Sequence, residues 1–233
     1  MEISIGKVRQ LADGSNPDSL SNRMRTRRFH LFETLAATLP RPLRILDVGG
    51  TNEFWENRGW ADRDDVQIYT LNLTAEEQKH KNVFPVAGDA TNLKEFGDLS
   101  FDIAFSNSVI EHLFTLENQK RMADEVQRVG KAYWVQTPNF WFPMEPHFHI
   151  PGWQWMPLGL RIAMIRRFRC GWRGPCPDPV RAKQLVTEVR LLNATELRAM
   201  FPKARLCPEK FGPFTKSWIA IAGFPGADSV RLP

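Results

Sequence analysis

Acidic and imidazole side chains that can move protons occur in two short segments of the chain. The segments are FSNSVIEHL and MEPHFHI, and the side chains are those of Glu111, His112, Glu145, His147 and His149. Because histidine titrates near neutrality, it suits the removal of a proton from a reacting group. His147 and His112 are the first candidates for that base, with His149 third. The alternative is that these histidines only bind backbone or, with Glu111, hold a metal ion.

The segment FSNSVIEHL also ends an apolar run in an unusual way. Residues 101–106 form the run, which finishes in the polar triplet Ser106-Asn107-Ser108. A buried strand that ends in polar residues indicates that polar groups are needed at that edge of a sheet. Ser106 and Asn107 are therefore candidate ligand-binding residues.

A glycine turn follows another apolar run, in RILDVGG. Gly49 and Gly50 lack a β-carbon, so their backbone can approach a ligand closely, and the helix that follows can aim its amides at that ligand. Asp47 precedes the turn and would orient it. The alternative is a plain tight turn.

Two further polar residues end apolar runs. Asn72 closes the run in YTLNLT, and Asp89 follows Gly88 in GDAT. Each residue also has a purely structural interpretation, Asn72 as a turn residue and Asp89 as a helix cap.

The elements that must position these residues alternate between strand and helix. Strands are predicted at residues 43–48, 66–71, 83–87, 101–106, 132–136, 204–207 and 217–222. A helix over residues 116–129 connects the fourth and fifth strands. This alternation predicts an α/β fold with a doubly wound, mostly parallel, seven-stranded sheet. Ligands of such sheets bind beyond the carboxyl ends of the strands, where the polar residues above are placed.

Two more helices are predicted, over residues 22–39 and after Asn193, where Asn193 and Glu196 can form a capping box. We predict a flexible N-terminal arm, a sheet domain in two pieces, and a Pro- and Trp-rich cap that supplies the acceptor side of the site. Their boundaries are residues 1–21 for the arm, 22–137 and 191–233 for the sheet domain, and 138–190 for the cap.

Aromatic residues of the cap are candidates for the wall of an acceptor pocket, since such pockets are mostly apolar with few polar anchors. They are Trp141, Phe142, Phe148, Trp153 and Trp155. The alternative is that they only pack the cap together.

Composition limits the class of protein. The 233 residues are 42% hydrophobic and 24% charged, which is typical of a globular protein with a real core. We find no apolar run long enough to span a bilayer and no signal-peptide core, so we expect a cytoplasmic protein. The net charge is +5, and one arginine cluster stands out, made of Arg161, Arg166, Arg167, Arg169 and Arg173. That cluster would contact a phosphate-bearing substrate or an anionic membrane, unless it is only a solvated surface.

The order of these motifs resembles class I S-adenosylmethionine-dependent methyltransferases of the type 11 group, over roughly residues 40 to 222. The resemblance rests on LDVGG after the first strand, a polar residue closing the second, GDA after the third and FSNSVIEHL after the fourth. It implies a Rossmann-like methyltransferase fold, with the sheet domain as the methyltransferase domain. It also implies S-adenosylmethionine as cofactor and S-adenosylhomocysteine as product.

The resemblance further implies roles for the candidate binding residues. Gly49 and Gly50 would hold the methionyl part, and Asp47 would balance its ammonium. Asn72 would bind the ribose hydroxyls, although the family usually has a carboxylate there, and Thr51 and Glu53 stand where it has further glycines.

The remaining implied roles concern the adenine and the methyl group. Asp89 would accept from the adenine amino group with the Ala90 amide near a ring nitrogen, and Ser106 and Asn107 would flank the transferable methyl. Some relatives hold a divalent metal on a Glu-x-x-Glu-His segment, where this chain has Ser108 for the first Glu. A divalent metal is therefore not favoured, and no metal ligands are predicted.

The leading hypothesis is methyl transfer to an oxygen or nitrogen of a small molecule, with a sugar or lipid-linked intermediate as candidate acceptors. Two alternatives stay open, an RNA methyltransferase and a non-catalytic binding protein with a methyltransferase fold. A nucleic acid partner is not favoured, since no RNA-binding module is appended. Peripheral membrane contact through the arginine cluster is open, and the sequence does not predict the oligomeric state.

Overall fold

The computed structural model describes residues 20–227, with side chains from Asn22 onward. All but the last two residues of the predicted N-terminal arm lie outside the described part. Contacts group the described residues into two compact units, residues 20–40 with 224–227, and Arg41–Gly223. Each unit is described by itself below.

The first unit contains helix α1 (Leu20–Ala36), which was predicted over residues 22–39. The helix ends before Leu39 because the chain tightens at its last turn. There the Thr38 amide donates to the Leu35 carbonyl at 3.0 Å, and the Thr38 hydroxyl donates to the same carbonyl at 2.7 Å. Local hydrogen bonding thus replaces the last helical turn.

The second unit is built on a seven-stranded sheet. Its strands are β1 (Leu43–Val48), β2 (Val66–Asn72), β3 (Val83–Ala87), β4 (Phe101–Asn107), β5 (Gly130–Pro138), β6 (Arg205–Phe211) and β7 (Phe214–Ala222). Their order is β3-β2-β1-β4-β5-β7-β6. The first five strands pair in parallel, while β7 runs antiparallel to both β5 and β6. The predicted fold class is confirmed.

The central strands form where the sequence has continuous apolar runs. In β1, Ile45, Leu46 and Val48 are fully buried, so both faces of the strand are covered. A strand covered on both faces needs apolar residues without alternation, which is the pattern of a parallel sheet. The prediction of β1 and β3 matches their observed bounds, and β5 extends beyond residues 132–136 because Gly130 pairs with Phe101.

The second unit has five helices, and side-chain caps fix where several of them begin. They are α2 (Asn52–Glu56), α3 (Leu116–Val129), α4 (Leu158–Arg167), α5 (Pro179–Thr187) and α6 (Ala194–Met200). Helix α3 starts where the Thr115 hydroxyl accepts from the Asn118 amide, and it buries Met122, Val126 and Val129 as predicted. At α6 the capping box of Asn193 with Glu196 forms in both directions.

Residues 139–193 between β5 and α6 contain helices α4 and α5, which pack on each other. This segment has its own apolar cluster, made of Phe148, Trp153, Ile165, Cys170, Ala182 and Val186. The sequence did not predict either helix, because prolines and scattered aromatics obscure the helical period there. In the described part of the chain, none of the helices combines the length and apolar character that crossing a membrane requires.

Candidate functional site

The carboxyl ends of neighbouring strands bring most of the predicted binding residues to one edge of the sheet. Val48 at the end of β1 pairs with Leu71 of β2 and with Ser106 of β4. Asn72 pairs in turn with Ala87 at the end of β3, just before Asp89. The loops that follow these strands therefore lie side by side at one edge of the sheet, where ligands of such sheets bind.

The glycine turn after β1 encloses the side chain of Asp47. A β-carbon on Gly50 would lie 1.9 Å from Oδ2 of Asp47, and one on Gly49, whose φ is +80°, would lie 2.4 Å from Cγ2 of Val109. The Trp55 indole donates to Asp47 Oδ2 at 2.7 Å. Both glycines are thus required by the packing of the loop itself, which holds Asp47 2% exposed beneath it.

Burial raises the pKa of Asp47 to about 7, and the hydrogen bond from Trp55 partly opposes that shift. The carboxylate was expected to orient the turn and to balance the charge of a bound ammonium. The carboxylate lies inside the turn, where it contacts the Gly50 backbone and accepts from the Trp55 indole, and this position is consistent with the first of these roles.

Replacement of Gly50 by Ala is expected to displace Asp47 from the turn. The new methyl group would overlap the carboxylate, and overpacking of this kind costs about 1–3 kcal/mol. Chemical denaturation should show that loss in the free energy of unfolding. Gly97→Ala is the matched control, because a β-carbon there meets nothing within 4 Å, and a change within about 0.5 kcal/mol is expected. Equal effects of the two substitutions would contradict the packing argument.

Thr51 and Asn52 explain how the turn works without further glycines. The Thr51 hydroxyl accepts from the Phe54 amide at 3.2 Å and caps α2. The backbone amide and side-chain Nδ2 of Asn52 both donate to the Glu76 carboxylate, at 2.9 and 2.8 Å. Asn52 is 3% exposed, and its Oδ1 has no hydrogen-bond partner among residues 20–227, so it can accept from a ligand. No sequence pattern indicated Asn52 or Glu76.

Asn72 braces the glycine turn. Its Nδ2 donates to the Gly50 carbonyl at 2.6 Å, which leaves Oδ1 as the atom available to a hydroxyl group. The Asn72 carbonyl also accepts from the Gly88 amide at 2.8 Å. One residue therefore connects the loops after β1, β2 and β3, and an aspartate could not make the bond to Gly50 because a carboxylate has no proton to donate.

Asp89 organises the turn after β3. Its Oδ1 accepts from the amide and the hydroxyl of Thr91, at 2.8 and 2.9 Å, and the side chain is exposed. Ala90 beside it is buried, with 8% of its surface exposed. The other carboxylate oxygen of Asp89 has no hydrogen-bond partner within the described residues.

Ser106 and Asn107 differ in their surroundings although they are adjacent. The Ser106 hydroxyl is fully buried and donates to the Val48 carbonyl at 3.1 Å, so it joins β4 to β1. Asn107 is half-buried at the end of β4. Ser108 then adopts a positive φ of 59° and its hydroxyl donates to the Gln136 side chain at 2.8 Å.

Three of the predicted catalytic and cap residues come together in one hydrogen-bonded chain. His147 Nδ1 lies 2.7 Å from Glu145 Oε1, and His147 Nε2 lies 3.2 Å from His112 Nε2. Glu145 is 2% exposed, and its other oxygen accepts from the backbone amides of His147 and Phe148. The acid thereby holds the imidazole of His147 in place. Glu145, His147 and His112 are called the relay below.

Burial and charge push the pKa values of the two histidines apart. Burial, together with the charges of His147 and Arg173, lowers the pKa of His112 to about 4, although the charge of Glu145 opposes that shift. Burial also lowers the pKa of His147, but the hydrogen bond to Glu145 and the charges of Glu145 and Glu111 outweigh it, so the net shift is upward. Of the two histidines, His147 is therefore the one that takes up a proton more readily, with Glu145 as the acceptor at its Nδ1.

Glu111 lies against the relay, wholly buried. Thr137 donates to its Oε2 at 3.0 Å, while Oε1 has no partner in the described part of the chain. Burial raises its pKa to about 7. Ligand atoms of Glu111, His112 and His147 all lie within 4.8 Å of one another, so this donor set is able to hold a divalent cation. Ser108, which stands where metal-binding relatives have Glu, is bonded to Gln136 instead.

His149, the third histidine candidate, adopts a positive φ of 51°. Its ring meets the Trp172 ring edge-on at 5.2 Å, and its amide donates to the Glu145 carbonyl at 2.9 Å. Within the relay, His147 connects Glu145 to His112, and His149 has no part in that connection. Among the five predicted acid and imidazole groups, His149 is thus the one whose placement gives least support to a role as the base.

A cavity of about 350 Å³ lies in the segment between β5 and α6 and reaches Glu145. Its polar lining consists of Glu145, Gln154, Arg161, Arg190, Asn193 and Glu196. Phe148 and Trp153, two of the aromatic residues predicted for the wall of an acceptor pocket, stack at 4.3 Å and form part of the apolar wall of this cavity. Trp141 and Trp155, predicted for the same wall, are 61% and 47% exposed.

Comparisons with known proteins agree with this architecture. A family model described as a methyltransferase domain matches residues 46–132. Two uncharacterized proteins of Mycobacterium tuberculosis, MT1557 of strain CDC 1551 / Oshkosh and Rv1509 of strain ATCC 25618 / H37Rv, are each 39% identical over 66 residues. That match covers 28% of this chain and 22% of theirs, so it spans about a fifth of those relatives.

Solved structures share the fold at low sequence identity. The CurJ carbon methyltransferase has a TM-score of 0.53 and 11% identity, over 94% of this chain and 58% of that one. A SAM-dependent methyltransferase from Aquifex aeolicus has a TM-score of 0.48 and 13% identity, over 95% and 98%. At these identities the CurJ match bears on the fold alone. Residues 46–132 of the chain thus match a methyltransferase domain, within a sheet of the order β3-β2-β1-β4-β5-β7-β6.

Proposed function

We propose that the protein transfers a methyl group from S-adenosylmethionine to an oxygen or nitrogen of a small molecule, with sugars and lipid-linked intermediates as candidate acceptors. The observation that carries this proposal is the relay of Glu145, His147 and His112 beside the carboxyl end of β4. Such a buried acid and imidazole pair is suited to removing the proton that a hydroxyl or amine nucleophile must lose.

Several features of the edge fit the cofactor. Asn52 Oδ1 and Asn72 Oδ1 are acceptors without partners among residues 20–227, so both can accept from a bound molecule. We assign Asn72 to a ribose hydroxyl, Asn52 to the methionyl end and Asp89 to the adenine amino group. When bound, the cofactor supplies a methyl group on a sulfonium, which is electrophilic without further activation.

The chain's own residues then position the nucleophile and take its proton. A hydrogen-bonded acid on Nδ1 fixes His147 in the tautomer whose Nε2 accepts a proton, and Glu145 stabilises the imidazolium that results. His112, whose lowered pKa keeps it neutral, accepts from or donates to that Nε2. Methyl transfer is an in-line displacement, so its rate also depends on how closely the protein aligns the nucleophile with the methyl carbon and the sulfur.

The cofactor assignment is tested by calorimetric titration with S-adenosylhomocysteine. We expect binding to the unmodified protein and binding about tenfold weaker, or more, in Asn72→Asp. The substitution places a carboxylate against the Gly50 carbonyl and removes the donor between them. The exposed Asn57 provides the control, since Asn57→Asp should leave the affinity unchanged. Tighter binding by Asn72→Asp would contradict the assignment, and no binding by any form would contradict the proposed function.

Catalysis is tested with S-adenosylmethionine labelled in its methyl group and the small-molecule fraction of a cell extract. We expect a labelled product that requires the protein. Binding of S-adenosylhomocysteine without any labelled product from small-molecule, RNA or protein fractions would instead indicate a non-catalytic binding protein.

A further inference from the structure

We infer that the cavity beside the relay selects an acceptor that carries an anionic oxygen group, a carboxylate or a phosphate, next to a hydroxyl. The inference rests on the proposed function and specifies its substrate class. It is carried by three side chains that line the cavity and contain buried polar atoms without partners among residues 20–227, those of Trp153, Gln154 and Arg161.

Arg161 supplies a positive charge that makes no ion pair among residues 20–227. It lies on α4 and lines the cavity, and its Nε is buried without an acceptor among the described residues. The same part of the chain contains no ion pair to its guanidinium, which always carries its charge in proteins. The residue is only half-buried, but a buried N–H without an acceptor is costly, and a bound anion would remove that cost.

The other charges in the cavity are already matched within the protein. Arg190 donates to the Glu196 carboxylate and to Gln119 Oε1, at 2.5 and 2.8 Å. Glu145 is engaged by His147 and two backbone amides. The charge of Glu145 acts on Arg161, but the guanidinium makes no ion pair or hydrogen bond to it within the described residues. Arg161 is therefore free to bind an anionic ligand, which favours such a ligand over a neutral one.

Two more buried polar atoms without partners among the described residues, Trp153 Nε1 and Gln154 Oε1, indicate which groups the ligand carries beside the anion. Trp153 is 1% exposed and its ring is fixed by stacking on Phe148, yet its indole N–H has no acceptor in the described part of the chain. Gln154 donates its amide to the carbonyls of Phe140 and Phe142, which fixes its Oε1 as a buried acceptor without a donor there. A ligand that satisfies both must present an acceptor and a donor, as an anionic sugar does.

The five arginines of the cap cluster have different surroundings in the structure. Arg173 pairs with Glu188, and Arg166 donates to the Pro177 carbonyl at 3.0 Å. Arg167 and Arg169 are exposed. Only Arg161 both lines the cavity and has its Nε buried without a partner, within the residues described.

The test follows the indole N–H signals of the eight tryptophans by ¹H–¹⁵N NMR during titration with glucuronate, glucose 6-phosphate and neutral glucose. Trp153→Phe assigns the Trp153 signal. We expect that signal to move with at least one anionic sugar and not with glucose, and the two anions distinguish a carboxylate from a phosphate site. Arg161→Gln should weaken that affinity about tenfold or more, as loss of a charged hydrogen bond does.

Arg167→Gln is the matched control, because it removes the same charge from the exposed side of α4 and should leave the affinity unchanged. Arg161→Lys, which keeps the charge, should bind with intermediate affinity. Titration of each sample with S-adenosylhomocysteine shows separately whether the cofactor site is intact. The inference fails if S-adenosylhomocysteine binds but the Trp153 signal does not move with either anionic sugar. It also fails if glucose moves that signal as much as the anionic sugars do. Equal affinity of Arg161→Gln and the unmodified protein for the anionic sugar would contradict it as well.

Discussion

Glu145→Gln is expected to reduce the rate of methyl transfer by about a hundredfold to ten-thousandfold, the range of a lost general base. The substituted amide can still accept from the backbone amides of His147 and Phe148, so the local fold should persist. Its NH₂ group, however, would face His147 Nδ1 at about hydrogen-bond distance. That forces the imidazole into the tautomer with a proton on Nε2, which cannot take another from a nucleophile.

The pH dependence gives a second measure of the same effect. Because the neutral imidazole is the base, the rate should rise with pH through the pKa of His147, which lies above its ordinary value of 6.5. Glu145 is a main cause of that upward shift, so Glu145→Gln should move the residual ascending limb to lower pH. His80→Gln is the control, since His80 precedes β3 at the opposite edge of the sheet and should leave rate and profile unchanged. A mutant rate within a factor of about three of the original would rule out the relay as the base.

The sheet and its edge were predictable because they depend on local signals. Apolar runs without alternation placed β1 and β3 at their observed bounds, and a capping pattern located α6. Parallel pairing then carries residues such as Asp47 and Asn72 to one edge, whatever the details of packing.

The roles of individual side chains were harder to predict, because a role depends on which partner a side chain meets. Asn72 was expected to bind the ribose hydroxyls, yet its amide donor is used by the Gly50 carbonyl, so only Oδ1 is left for that role. Ser106 was expected beside the methyl group, and its buried hydroxyl joins two strands. The bond of Asn72 spans 22 positions of the sequence and that of Ser106 spans 58. A local sequence pattern does not indicate contacts over such separations.

The cap was least predictable. Its aromatic residues were expected to wall an acceptor pocket; Trp153 lines the cavity, while Trp141 and Trp155 are exposed. The arginine cluster likewise separates into one residue at the cavity and others at the surface. Sequence spacing alone cannot make that distinction, because α4 and α5 bury only a narrow stripe, made of Ile165, Ala182 and Val186.

Glu111→Gln is expected to make the protein more stable than the original at pH 8 and not at pH 4. The folded-state pKa of Glu111 is raised from 4.5 to about 7 by burial. A raised pKa means that the folded state binds the proton more tightly, so this contribution is fully present below pH 4.5 and is lost as pH rises through about 7. Such a difference between the folded and unfolded pKa corresponds to about 3 kcal/mol in the free energy of unfolding.

The measurement is the free energy of unfolding of Glu111→Gln and of the unmodified protein from pH 4 to pH 8. Asp47 contributes a similar pH dependence to both proteins, so it cancels when one free energy is subtracted from the other. The glutamine side chain keeps an oxygen that can accept from Thr137, and it stays neutral throughout. Glu117→Gln on the exposed surface of α3 serves as the control and should show no such pH dependence. A difference that stays flat from pH 4 to pH 8 would mean that Glu111 is ionised in the folded protein at neutral pH. Since burial opposes that charge, a cation held with His112 and His147 would then have to compensate it, and chelation of divalent ions should restore the expected slope.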